Sequence, residues 1–192
     1  MKVLALGGSG GMGRFSSFAI SNYPNISKVT IADLNEANAK EFSNHFDDRF
    51  TGIGLDVTNK EHLEKVMSDH DVVLNTTGPF FKFGLPILKS AIKCKCHYFD
   101  ICDDWEPTEE MLKLNDEALK NDITAIVGLG ASPGISNLLG LKAMNELDEA
   151  ESIITGWDVS SAKPEDESSQ KGTNAAMEHG LQQISGEIKI YK

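Results

Sequence analysis

The segment Gly7-Gly8-Ser9-Gly10-Gly11-Met12-Gly13 follows the apolar run Val3-Leu4-Ala5-Leu6 directly and opens a helical stretch over residues 14–22. A strand, a glycine-rich turn and a helix N-terminus in succession predict a phosphate cradle. Glycines allow the tight turn and let backbone approach a pyrophosphate. The first helical N–H groups and the positive end of the helix dipole then receive the anion. The spacing Gly8-x-Gly10-x-x-Gly13 satisfies the dinucleotide fingerprint. Gly8, Ser9, Gly10, Gly11, Met12 and Gly13 are therefore the candidate pyrophosphate contacts.

Two acids fall where such a ligand needs them. A second strand over residues 28–32 ends at Asp33, twenty positions after Gly13, where a carboxylate reaches the adenosine ribose hydroxyls. A third, over residues 51–55, runs into Asp56-Val57; these are expected to border the adenine, with Asp56 accepting from its amino group. Asp33 is followed by Leu34 and Asn35, not by the arginine that often receives a 2′-phosphate. NAD is accordingly expected ahead of NADP. Arg14 or Lys28 would serve as the phosphate clamp in the alternative case.

Strand and helix signals alternate along the rest of the first 128 residues. Residues 36–46 read as a helix. Thr58-Asn59-Lys60-Glu61 reads as a capping box, ahead of a stripe formed by Leu63, Val66 and Met67. The apolar run over residues 71–75 predicts a buried parallel strand. Residues 85–93 predict a helix with Pro86 in its first turn, residues 97–101 a fifth strand, Thr108 a helix cap, and residues 123–127 a sixth strand. The expected fold class is α/β, a doubly wound parallel sheet in the order 3-2-1-4-5-6. The pattern then changes. A turn at Gly130-Ala131-Ser132-Pro133-Gly134 leads into a helix over 135–145, a strand over 152–159 and a polar loop over 161–174. A helix over 175–184 and an alternating strand over 187–191 follow. Residues 1–128 are thus expected to form the dinucleotide-binding domain and 129–192 the beginning of a second, α+β domain. The last strand would leave Ile188 and Ile190 on an open edge, which predicts a homo-oligomer.

Charge and composition narrow the partners. With 29 acidic against 18 basic residues the net charge is -11, which lacks the basic footprint that nucleic acids and anionic membranes require. A small-molecule substrate, cationic if the charge bears on it, is the expected partner. No segment approaches the ~20 apolar residues of a membrane span, and the first residues already read as a core strand, so a cytoplasmic protein with reduced thiols at Cys94, Cys96 and Cys102 is expected. Cys94-Lys95-Cys96 lacks the spacer of a zinc knuckle, and no metal site is expected. His45, His62, His70, His97 and His179 do not cluster in sequence. Ser9, Ser132 and Ser136 have no identifiable base.

In a sheet of this kind ligands lie beyond the carboxyl ends of the strands. Three segments besides the glycine turn reach that edge. Asn75, Thr76, Gly78 and Pro79, after the fourth strand, would border the nicotinamide half of the cofactor. Asp103, in the acidic segment after the fifth, is the candidate catalytic residue, as an amine contact or proton carrier. The turn at Gly130–Gly134 starts a helix at the same cleft.

The segments Gly8-Ser9-Gly10-Gly11-Met12-Gly13, Asn75 with Gly78-Pro79-Phe80 and Gly84, His97-Tyr98-Phe99-Asp100-Ile101-Cys102, and Gly130-Ala131-Ser132-Pro133-Gly134-Ile135-Ser136-Asn137 resemble the saccharopine dehydrogenase-like oxidoreductases. His179-Gly180-Leu181 and Ile184-Ser185-Gly186 are similar to the family as well. The resemblance implies a nicotinamide-dependent dehydrogenase acting on a C–N bond of an amino-acid-derived substrate. It also implies a second domain carrying most of the substrate pocket, of which this chain holds the beginning. Two other readings are a non-catalytic NAD(P)-binding module that senses redox state and a short-chain-type carbonyl reductase. The latter needs a Tyr-x-x-x-Lys pair, and Tyr23, Tyr98 and Tyr191 have no lysine four residues on.

Overall fold

The structure, a computed structural model, describes residues 1–156 together with Leu181 and Ser185. Six parallel strands form one sheet: β1 (Lys2–Leu6), β2 (Lys28–Asp33), β3 (Phe50–Gly54), β4 (Val72–Asn75), β5 (His97–Asp100) and β6 (Ala125–Ile126). Their order is β3-β2-β1-β4-β5-β6, the doubly wound arrangement expected from the sequence. The connecting helices are α1 (Gly11–Ser21), α2 (Glu36–Ser43), α3 (Lys60–Met67), α4 (Phe80–Cys94), α5 (Trp105–Leu112) and α6 (Asn115–Lys120), and α7 (Ile135–Asn145) follows the sheet.

Alternation along each strand separates two apolar layers. Leu4, Leu6, Val73 and Tyr98 join Leu63, Met67, Ile87, Leu88 and Met111 from α3, α4 and α5 in the larger core. Val3, Val29, Ile31 and Val72 face the other way and meet Ala39 and Phe42 of α2. The register aligns the strand ends. Leu6 lies beside Ala32 and Asn75, Asp33 beside Gly54, and Asn75 beside Asp100. Loops after β1, β2, β4 and β5 therefore emerge at one edge, which is where a ligand of this fold is held.

Several boundaries differ from those the sequence predicts. Helix α4 starts at Phe80 on Pro79, so Pro86 lies inside it and not in the first turn. The lost hydrogen bond is tolerated because Phe80, Ile87, Leu88, Ala91 and Ile92 are all buried on one side. Helix α5 starts at Trp105, with Asp104 as its N-cap. Thr108 does not cap it and instead donates from within the helix to the Asp104 carbonyl at 2.7 Å. The N-cap of α3 is Asn59, accepting from His62 N, while Thr58 is bound to Asp56. Helix α2 stops at Ser43, and β6 is two residues long. Residues 152–156 form no strand. The loop expected at 161–174, His179, the strand expected at 187–191 and all of the helix expected at 175–184 except Leu181 lie outside the described residues. Among the described residues no helix is long and apolar enough to cross a membrane.

At the opposite end of the sheet His70 is buried between β2 and α3. Its Nδ1 lies 2.8 Å from the Val66 carbonyl and its Nε2 2.7 Å from the Thr30 hydroxyl. A carbonyl only accepts, so Nδ1 carries the proton and Nε2 accepts from Thr30. Burial holds the imidazole below its ordinary value of 6.5. The unfolded chain then binds a proton at a higher pH than the folded chain, and stability is lost as pH falls below the unfolded value. We expect the urea midpoint to drop between about pH 7 and about pH 5, and His70→Gln to flatten that part of the curve. An unchanged curve would show that other groups set it.

Candidate functional site

Each glycine of the turn after β1 does a different job. Gly7 has φ +67°, a conformation L side chains rarely adopt. Gly10 N donates to Gly7 O at 3.0 Å, and the first helical bond runs from Arg14 N to Gly10 O at 2.9 Å. Gly10 is extended and supplies no side-chain cap, so the N–H groups of Gly11, Met12 and Gly13 have no acceptor within α1. At Gly13 a Cβ would stand 2.1 Å from Gly7 O and 2.6 Å from Gly8 Cα, so only hydrogen fits between helix and turn. At Gly10 a Cβ would meet nothing nearer than Gly7 O at 3.2 Å. The inner glycine closes the turn and the outer one leaves a face that a pyrophosphate can approach. These residues fit a dinucleotide.

The β4 side of the edge is bound to this turn. Thr76 Oγ1 donates to the carbonyls of Leu6 and Gly7, at 2.9 and 3.2 Å. Asn75 is fully buried, donates from Nδ2 to the Tyr98 hydroxyl at 3.0 Å, and accepts from Thr77 N at 3.0 Å. The side chains of both sequence-predicted contacts, Asn75 and Thr76, are thus engaged within the protein. What they offer a ligand is the shape of the loop through Gly78 and Pro79. Thr77, in the same segment, has a buried hydroxyl oxygen with no hydrogen-bond partner.

Tyr98 and Asp100 extend the network. The Tyr98 hydroxyl donates to Asp100 Oδ2 at 2.8 Å, and Asp100 Oδ1 accepts from Cys102 N and Gly128 N at 3.0 and 2.8 Å. Leu129 N donates to the Asp100 carbonyl at 2.7 Å. One buried acid thereby ties together the loops after β5 and β6, and through the Tyr98 hydroxyl reaches Asn75 at the end of β4. Burial pushes its carboxyl up, against the donors that hold it down, and lifts the Tyr98 phenol well above its ordinary value. The adjacent Cys102 thiol is pushed up to about 12 by burial and stays protonated. The sequence signal for this network was a tyrosine and an acid two residues apart, which share one face of a strand.

Across the turn, Ser9 Oγ donates to Asp33 Oδ2 at 2.6 Å and Asn35 N to Asp33 Oδ1 at 3.2 Å. Asp33 is half-buried at the end of β2. Met12 is exposed on α1. Asp56 is exposed, and its Oδ1 accepts from Thr58 N and Oγ1, which holds the carboxyl below its ordinary value. Val57 packs against the larger core. Asp103 is exposed in the loop between β5 and α5. Gly134, with φ +120°, is the N-cap of α7. His97 sits at the far end of β5, where its Nδ1 accepts from Thr124 N at 2.9 Å, a structural role as expected. Lys28 opens β2 at that same far end, so it is removed as a phosphate clamp.

Sheet order, glycine turn and the acid after β2 define a dinucleotide-binding domain of the doubly wound class. Residues 3–126 match the family described as the saccharopine dehydrogenase NADP binding domain. The chain is 31% identical over 122 residues to the saccharopine dehydrogenase [NADP(+), L-glutamate-forming] of Saccharomyces cerevisiae, and 27% identical over 122 residues to the enzyme of that name from Schizosaccharomyces pombe. Each alignment covers 64% of this chain and 26% of the relative. The solved apo structure of the Saccharomyces cerevisiae L-Glu-forming saccharopine dehydrogenase superposes with a TM-score of 0.65 at 30% identity, covering 76% of this chain and 31% of that one. A myo-inositol dehydrogenase-type structure from Sinorhizobium meliloti, 17% identical with a TM-score of 0.55 over 76% of this chain and 41% of that one, shares the fold. The chain belongs to the saccharopine dehydrogenase NADP-binding domain family. It spans about a quarter of the length of the curated relatives it matches. These relatives and the family description carry NADP, so the expectation of NADP behind NAD finds no support in them.

The two glycines should separate in experiment. Gly10→Val is expected to abolish dinucleotide binding by titration calorimetry while leaving the thermal midpoint near that of the parent. Gly13→Ala should instead destabilise the fold by about 1–3 kcal/mol, since the contact it violates is backbone on backbone.

Proposed function

We propose that this chain is the cofactor-binding part of an NADP-dependent oxidoreductase that acts on a C–N bond of an amino-acid-derived substrate. The observation that carries the reading is the glycine turn, closed on the inside at Gly13 and open on the outside at Gly10, at the edge where the loops after β2, β4 and β5 converge. The family description and the names of the relatives support NADP over NAD, and the relatives' name supports the substrate class. The bound nicotinamide supplies the hydride chemistry; the protein orients it and excludes water.

In this reading the N–H groups of Gly11, Met12 and Gly13 receive the pyrophosphate, with Gly8, Ser9 and Gly10 lining its approach. Asp33 lies at the adenosine ribose, Asp56 and Val57 at the adenine, and the loop formed by Asn75, Thr76, Gly78 and Pro79 borders the nicotinamide half. Asp103, on the exposed loop after β5, contacts the substrate amine or relays a proton. Residues 1–128 form the cofactor domain and 129–192 begin the second. In support, the family match ends at residue 126 and α7 buries none of its residues. The three free thiols are compatible with the cytoplasm. A small, cationic amino-acid substrate suits the net charge of -11.

Titrating the chain into NADPH and NADH, and following the reduced cofactor's fluorescence, tests the reading. NADPH should bind about tenfold more tightly than NADH, a difference of ~1.4 kcal/mol. Tighter NADH binding would return the cofactor to NAD. Binding of neither would remove the cofactor site altogether.

A further inference from the structure

We infer that Arg14 selects NADP, its guanidinium receiving the adenosine 2′-phosphate; this rests on the cofactor reading above. After β2 this chain has Asp33-Leu34-Asn35, and Leu34 is 77% exposed. No cation stands at the position from which an arginine often grips that phosphate. Lys28 is at the other end of β2, about 16 Å away along the strand. Lys40 on α2 is paired with Glu36 at 2.5 Å. Selection has to come from elsewhere.

Arg14 occupies the place the phosphate requires. Its Nε donates to Ser9 O at 2.8 Å, and Ser9 Oγ in turn donates to Asp33 Oδ2 at 2.6 Å. One residue therefore links the guanidinium to the acid that marks the ribose. The guanidinium carbon lies 4.9 Å from the centroid of the Phe42 ring, so α2 holds its flat face by a cation–π contact. One N–H and one face are engaged. The two terminal nitrogens take no partner among the described residues, and the side chain is exposed. A planar fork fixed at its base, with two donors outward, is the geometry that meets a phosphate in bidentate fashion. Asp33 is turned to donors of its own, Ser9 Oγ and Asn35 N. Both Asp33 oxygens are thereby engaged, and Ser9 stands between that carboxylate and the guanidinium.

The test uses the whole chain with four probes: NADPH, NADH, 2′,5′-ADP and 5′-ADP, by calorimetry on the parent, Arg14→Gln and Arg14→Lys. The glutamine variant should bind NADPH and 2′,5′-ADP about ten- to a hundredfold more weakly. NADH and 5′-ADP should stay within about twofold, since they carry no 2′-phosphate. Lysine keeps the charge without the fork and should fall between. The salt dependence of 2′,5′-ADP binding should flatten in the glutamine variant. Equal losses for all four probes would overturn the assignment and make Arg14 a support for the Ser9 turn. No loss for any probe would overturn it as well. If the parent binds NADH and 5′-ADP but gains nothing from the 2′-phosphate, the selectivity fails while the nucleotide site stands; if it binds none of the four, the site itself fails.

Discussion

Helix α1 can begin directly above β1 only because residue 13 has no side chain. Its missing Cβ would lie 2.1 Å from Gly7 O and 2.6 Å from Gly8 Cα. That contact brings the positive end of α1 and its unpaired N–H groups to the sheet edge. With a larger residue the helix would move outward, and the donors would no longer converge on one point. Two contacts tie the neighbouring strands to this close approach: Thr76 binds its hydroxyl to the carbonyls of Leu6 and Gly7, and Ser9 reaches from the turn to Asp33.

The other half of the edge is held by a different device. Asn75, Tyr98 and Asp100 are fully buried polar groups in an otherwise apolar layer. A partly satisfied network there would be costly, so its value lies in completeness. Asp100 meets that condition by accepting from Tyr98, Cys102 and Gly128. Its bonds hold the chain where it leaves β5 and β6, and Tyr98 relays the network to Asn75 at the end of β4. The two short strands, β5 and β6, share few ladder bonds, and the buried acid adds the constraint that the ladder lacks.

A third feature, on the face of the sheet that α1 and α2 cover together, bears on ligand choice. Phe42 is buried in the smaller core, yet its ring carries the guanidinium of Arg14. A core residue of α2 thus positions a charge on α1. Local sequence around Asp33 argues for NAD, and family kinship argues for NADP. The proposed assignment places the resolution at a residue nineteen positions before Asp33 in the chain, since Ser9 of the turn is bound both to Asp33 at the end of β2 and to Arg14 of α1.

Much of this was written in the order of residues. Alternating apolar runs and glycines at residues 7–13 determined the strand order and the edge at which a ligand is held, since a parallel sheet permits few connections. The start of α7 at Ile135 was likewise legible from Gly130–Gly134. Helix starts were less so. Pro86 was misleading because buried neighbours in α4 outweigh one lost hydrogen bond, and Thr108 was misleading because Asp104 precedes it at the turn. The roles of Asn75, Tyr98, Asp100 and Arg14 depended on the tertiary structure. Each is defined by a partner on another strand or helix, at a distance set by packing and register, and a linear pattern contains no term for which side chains meet across a sheet.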